Sequence, residues 1–273
     1  MSSTLCHRVK KYFNSSRLIR FCLELRVLVW RICMAINVNA LNPRMADRRL
    51  FLIAAIGFPL LVLIGYFKTY YFKEFFDVKP LASWLVHLHA LVMTTWVLYF
   101  TTQTVLIRTK NVKLHMTMGL AGIALAAVVV VVGMATAYDA HLVRKTAPPG
   151  LDPFEFFIVP TLDMANFVIL FAGAIYYRKR PGEHKGLMLM TVLNFLPAAL
   201  FRIPFIPPQY GLLWGFGVPD ILALASFGWY TWKHRKFNVP FALGVLLVIT
   251  SLPLRLLFAG TPTWHAIAAW LAP

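Results

Sequence analysis

Residues 87–138 read HLHALVMTTWVLYFTTQTVLIRTKNVKLHMTMGLAGIALAAVVVVVGMATAY. Two apolar runs, each of the ~20 residues that a helix needs to cross a bilayer, flank a turn with Arg108, Lys110 and Lys113. Hydrocarbon offers no water to peptide groups, so such a run must be helical. The pattern recurs. Seven apolar runs lie at about 50–67, 81–107, 115–138, 155–177, 186–206, 210–232 and 238–259. Of 273 residues, 59% are hydrophobic and 14% charged, too few charges to cover a soluble protein of this size. The predicted fold is all-α: an integral bundle of seven transmembrane helices over 50–259, then a tail, 260–273, too short to span again. The tail, with Trp264, His265 and Trp270, is expected at the membrane interface.

The turns set the orientation. One side holds Arg108, Lys110 and Lys113, then Arg178, Lys179, Arg180 and Lys185, then Lys233, Arg235 and Lys236. The other side mixes Lys68, Lys73, Lys79, Arg144 and Lys145 with Glu74, Asp77, Asp139, Asp152 and Glu155. Cytoplasmic loops carry the Lys/Arg excess. The N-terminus is therefore expected in the cytoplasm and the C-terminus outside, in a cell inner (plasma) membrane. The net charge of +17 is spread over these turns rather than gathered into a groove, so the bilayer, not nucleic acid, is the expected partner. Residues 1–49 differ from the rest, with ten Lys/Arg against Glu24 and Asp47. Three readings compete for them: an in-plane amphipathic helix, a targeting peptide, or a segment upstream of a start at Met45, the reading favoured here. Cys6, Cys22 and Cys33 lie there without C-x-x-C spacing, which argues against a disulfide framework or a cysteine zinc site.

Six ionisable residues lie inside the apolar runs: His87, His89, Asp163, Arg202, Asp220 and Arg255. With the helices oriented as above, all six fall in the outer half of the bilayer. Asp163, for example, is eight residues in from Glu155, roughly 12 Å below the outer face. Charge inside lipid usually faces a bundle interior or a wet cavity and marks function. Four of the six closely follow a proline (Pro160, Pro197, Pro219, Pro253), and helix-interior prolines bend helices and free carbonyls. An outward-facing polar cavity is the resulting expectation, with His87, His89, Gln103, Asp163, Arg202, Asp220 and Arg255 as ligand-binding candidates. The competing reading pairs Asp163 or Asp220 with Arg202 or Arg255 as buried locks. His87 and His89 are separated by roughly 200° around a helix. They are not expected to share a metal ion, and no metal site is predicted. His89 aligns with Trp96 and Gln103 at seven-residue steps. The third run, with Gly119, Gly122, Ala126, Gly133 and Ala137, is expected to be a central packing helix.

At the cytoplasmic edge, His115 opens the third run and His184 the fifth, each after a basic turn. Two histidines at one depth on different helices are what axial haem ligation requires, and cationic turns suit haem propionates. The spacing suggests a weak internal repeat of helix pairs. The plainer reading is a pair of interfacial histidines. His7, His141, His234 and His265 read as solvated loop residues.

The runs HLHALVMTTWVLYFTTQTVLIRTKNVKLHMTMGLAG (87–122) and RKRPGEHKGLMLMTVLNFLPAALFRIPF (178–205) resemble a group of bacterial multi-pass membrane proteins without an assigned activity. The resemblance covers about 46–271. It implies the seven-span fold and its topology, favours Met45 as the start, and implies no mechanism. A looser similarity is to haem-handling membrane proteins and cytochrome b-type bundles. The seventh run, FALGVLLVITSLPLRLLFAG (241–260), has no lysine, which excludes a retinal Schiff base. It also lacks the H-x-x-x-H of zinc-dependent membrane hydrolases.

Three functions follow from these residues. The first is a membrane protein that binds a small polar or anionic ligand in the outer cavity. The second is a haem-binding redox protein using His115 and His184, or His89 with Met134 or Met164. The third is a structural or assembly factor locked by ion pairs.

Overall fold

The computed structural model describes residues 43–76, 78 and 83–273. The competing readings of the basic segment before Pro43 lie outside the described residues. Asp47–Pro273 forms one unit. Among the described residues its regular structure is entirely helical.

Helix α1 (Pro43–Tyr66) runs on through a π turn, Phe67–Tyr71, and a 3-10 turn, Lys73–Phe76. Then come α2 (Trp84–Arg108), α3 (Val112–Tyr138) with a π turn at Asp139–Val143, the short α4 (Pro153–Phe156) and α5 (Ile158–Tyr176). After these follow α6 (Pro181–Leu200), α7 (Val218–His234) behind a π turn at Leu213–Gly217, α8 (Val239–Phe258) and α9 (Pro262–Leu271). The starts are written in the sequence. Ser83, Asn111, Asp152, Asn238 and Thr261 each accept a backbone N–H of the first turn with the side chain. Such caps satisfy donors that a helix start leaves free. Proline occupies the first turn of α4, α6, α8 and α9, where its missing N–H costs nothing.

Among the described residues, five helical stretches are long and apolar enough to cross a bilayer: Leu50–Tyr71, Trp84–Arg108, Val112–Val143, Pro153–Tyr176 and Val239–Phe258. The protein is a multi-pass membrane protein, a helical bundle embedded in lipid. Large apolar side chains such as Leu91, Val131, Ile169, Leu246 and Leu257 are exposed on its flanks, as a lipid-facing surface requires.

The most enclosed helix is α6, not α3. Leu187, Met190, Val192, Leu196 and Leu200 of α6 belong to the main apolar core with Phe58, Phe100, Leu170, Phe241 and Val248. Helices α5, α7 and α8 pack directly on α6. Gly65 of α1 meets the backbone of Ala199, and Gly186 of α6 seats the ring of Phe241. The small residues of α3 serve a narrower purpose. Gly122 receives Tyr99 of α2, and Gly133 receives the thioether of Met164 of α5. Thus α3 is a flat-faced partner for α2 and α5, and a stripe rich in small residues identifies close approach rather than a central position.

Two of the four prolines do not bend a helix from within. Pro160 is in the first turn of α5, after a break at Phe157 between α4 and α5. Pro219 opens α7 directly after the π turn, a geometry that frees room for the ring. Pro197 and Pro253 are interior, in α6 and α8. The tail forms α9, tied down by Trp264 Nε1, which donates to the Phe154 carbonyl (2.8 Å), and by His265 against Glu155 (3.3 Å). Ala268 is fully buried beside Leu142 and Phe157.

Candidate functional site

The first turns of α3 and α6 bring His115 and His184 together. Their ring centroids are 6.4 Å apart and their planes cross at 76°. Both rings are half-buried. His184 Nδ1 donates to the Ala174 carbonyl at the end of α5 (2.8 Å). A carbonyl only accepts, so Nδ1 carries the proton and Nε2 keeps its lone pair. His115 lies by the backbone of Gln103, near the end of α2, and its Nδ1 is buried without a hydrogen-bond partner. Each imidazole thus sits against the last turns of the preceding helix. The repeat of helix pairs seen in the sequence, α2–α3 and α5–α6, has this physical form.

A polar network adjoins the pair. Gln103 Nε2 donates to the Tyr99 hydroxyl (2.7 Å), and that hydroxyl donates to the Met118 carbonyl of α3. Gln103 Oε1 is buried and unpartnered. Gly119 is one turn beyond His115 on the same face, and a Cβ there would meet nothing within 4 Å. Basic residues Arg108, Lys110, Lys113, Arg178, Lys179 and Arg180 occupy the turns at this end.

An imidazole nitrogen sits about 2.0 Å from a bound first-row metal. Two rings on opposite sides of one ion therefore have centroids roughly 6 Å apart. The centroid separation of His115 and His184 is of that size. The hydrogen bond at His184 Nδ1 is the kind of outer contact that aims a ligating imidazole.

The six outer residues divide into separate groups. Asp163 of α5 and Arg255 of α8 form an ion pair, the arginine 4% and the aspartate 18% exposed. The Arg255 guanidinium lies 4.9 Å over the Phe216 ring, and Asn194 Nδ2 donates to the Asp163 backbone carbonyl (2.9 Å). Arg202 stands past the end of α6, exposed, with its guanidinium 4.8 Å over the Tyr66 ring of α1. Its Nη1 donates to the Ala198 carbonyl (2.5 Å). His89 lies within electrostatic reach of Arg202, and its Nδ1 is buried and unpartnered. His87 points the other way: it is exposed, with Nδ1 3.5 Å from the Tyr70 hydroxyl. Asp220 is half-buried on the first turn of α7, and no ion pair to it forms among the described residues. One of the two envisaged ion pairs exists and the other does not.

A pocket of about 430 Å³ does open at this end, but it is apolar. Ile206, Tyr210, Leu213, Trp214, Val218 and Ile221 line it, and none of the six ionisable residues does. Met164 packs over Gly133, and Met134 joins the cluster around Ala137 and Leu142. Three histidines read as solvated are engaged. His141 Nδ1 donates to the Thr146 carbonyl (2.6 Å), His234 stacks on Tyr230 (4.4 Å), and His265 meets Glu155.

Tyr66, Tyr99 and Asn194 contribute contacts that sequence reasoning missed. Signals existed for two of them. Tyr99 is one helical turn before Gln103, and Asn194 interrupts the apolar run MLMTVLNFL (188–196). Tyr66 carries no such signal, being one of ten tyrosines in an aromatic-rich chain. No protein-family model, curated protein or solved structure matches this chain.

Proposed function

We propose that this protein is a haem-binding redox protein of the membrane, in which His115 and His184 would hold the haem. The observation that carries the reading is the placement of two imidazoles from α3 and α6 at 6.4 Å, one of them already oriented through Nδ1. Bound haem supplies one-electron redox chemistry. The residues divide the work of holding it. His184 presents Nε2 because Ala174 holds its Nδ1–H. Gly119 leaves open space beside His115. Lys110, Lys113, Arg178 and Arg180 offer cations for carboxylate side arms. The Gln103–Tyr99–Met118 chain braces α2 against α3.

In the same reading seven helices span the membrane. Helix α6 opens with PGEHKG and α7 is 17 residues long, so both fall short of a lipid-facing composition or length. Helix α6 is wrapped by its neighbours, so it has no need of a uniformly apolar surface. Its twelve buried residues include Thr191 and Asn194. The outer turns carry their own neutralising pairs, Lys73–Glu74 at 3.0 Å and Asp139–Arg144 at 2.8 Å. That supports a cytoplasmic N-terminus, an outer C-terminus and an inner (plasma) membrane location, with 50–259 as the spanning domain and 260–273 as an interfacial tail. Membership of the group of bacterial seven-span proteins is part of the proposal. The variants that test the ligands are His115→Ala and His184→Ala. Each is expected to lose bound haem by the pyridine haemochromogen assay while remaining monodisperse in detergent. Retention of wild-type haem by both would remove the assignment.

A second reading, an outward-facing site for a polar or anionic ligand, is supported by the outer group His89–Arg202 alone. Asp163 and Arg255 are occupied with each other.

A further inference from the structure

Arg202 and Arg255 share a half of the bundle and differ in one respect. Arg255 has a carboxylate, Asp163. No carboxylate reaches Arg202 among the described residues, and Asp220 is not brought to it. The contacts of Arg202 are an aromatic face and a single carbonyl, Tyr66 and Ala198. A guanidinium carries five N–H donors, so most of its fork is left over. Two other buried polar atoms have no hydrogen-bond partner. His89 Nδ1 on α2 is buried without a partner, and so is Thr69 Oγ1. Thr69 is three residues on from Tyr66 in the turn that prolongs α1. Buried polar atoms without partners cost free energy.

One kind of ligand answers all of these groups. An oxyanion with two or more oxygens accepts from the guanidinium fork and from an imidazole N–H, and neutralises the charge. Stacking on Tyr66 holds the guanidinium plane, which favours a forked partner over a point charge. We infer that Arg202, His89 and the Tyr66–Thr69 turn form an oxyanion site at the outer end of the bundle, for a phosphate or carboxylate group. The inference rests on the outward-facing reading and is independent of haem. The anion has two possible sources, a lipid headgroup or a free solute, and the chemistry is shared.

Two measurements on the full chain separate these sources. Native mass spectrometry from nanodiscs of phosphatidylglycerol or phosphatidylcholine reads retained lipid. Thermal unfolding in detergent with inorganic phosphate or succinate reads free anion. The wild type is expected to respond in at least one, with preference for phosphatidylglycerol or a rise in melting temperature. Arg202→Gln and His89→Gln are expected to weaken that response by about tenfold or more. Arg202→Lys, which keeps the charge and loses the fork, is expected to fall between them and the wild type. Lys179→Gln, at the other end, is expected to change nothing. A wild type that responds in neither assay overturns the site, as do Arg202 and His89 variants that respond like the wild type. Orientation is read separately. With the three native cysteines replaced, Phe205→Cys is expected to react with an impermeant maleimide in intact cells. If it reacts only after lysis, the outward-facing reading falls, whatever the anion assays show.

Discussion

Asp163 and Arg255 join α5 to α8 in the interior, and each keeps the other tolerable there. Removing one partner of a buried pair leaves a charge with nothing to answer it, at a cost of about 3–5 kcal/mol. Asp163→Leu is therefore expected to lower thermal stability in detergent strongly. Asp163→Leu with Arg255→Met is expected to recover most of the loss, because an apolar pair of similar volume is close to neutral. A double variant as unstable as the single one would mean that the ion pair is not what α5 and α8 share. Single residues were legible in the sequence as expensive groups in apolar runs. Their pairing was not. Whether Asp163 or Asp220 meets Arg255 depends on helix order, and no local pattern encodes that. The split of His87 from His89 was legible, because it follows from turn geometry alone. His87 faces outward to Tyr70 and His89 inward.

At the scale of elements, close contacts decide which helices touch. Gly65 lets α1 rest on the Ala199 backbone of α6, whereas a Cβ on Gly57 of the same helix would meet nothing within 4 Å. Gly65→Ala is expected to destabilise by about 1–3 kcal/mol through overpacking. Gly57→Ala is expected to be neutral or stabilising by up to about 1 kcal/mol. Thermal unfolding of the two variants checks the contrast, and equal effects would contradict the α1–α6 contact. Gly119 tests the haem site in the same way. The space over it is empty of protein, so Gly119→Leu is expected to fold with near wild-type stability and to carry much less haem. Helix existence was readable from apolar length, and helix starts from Ser83, Asn111, Asn238 and Thr261 before their first turns. The centrality of α6 was not readable. Its buried side carries Thr191 and Asn194, whereas the small residues of α3 had pointed to that helix as the central one. Proline was a poor guide to bends, since Pro160 and Pro219 sit where helices begin.

For the whole molecule, the two ends of the bundle hold different chemistry. One end joins two imidazoles to cationic turns, and the opposite end holds a closed ion pair, an open arginine and an apolar pocket. The sequence placed His115 and His184 at one depth, and depth follows from counting residues along helices. Their approach to 6.4 Å needed the fold, in which α5 packs against both α3 and α6. The same limit explains the outer end, where equal depth suggested a single cavity and the helices instead distribute six residues among separate partners. The most direct test of the bis-imidazole assignment is the optical spectrum of the purified full-length protein, oxidised and reduced. A Soret band with sharp low-spin α and β bands on reduction, absent from the His115→Ala/His184→Ala double variant, is the expected result. A protein that stays colourless after expression with ample haem and after addition of haemin contradicts it.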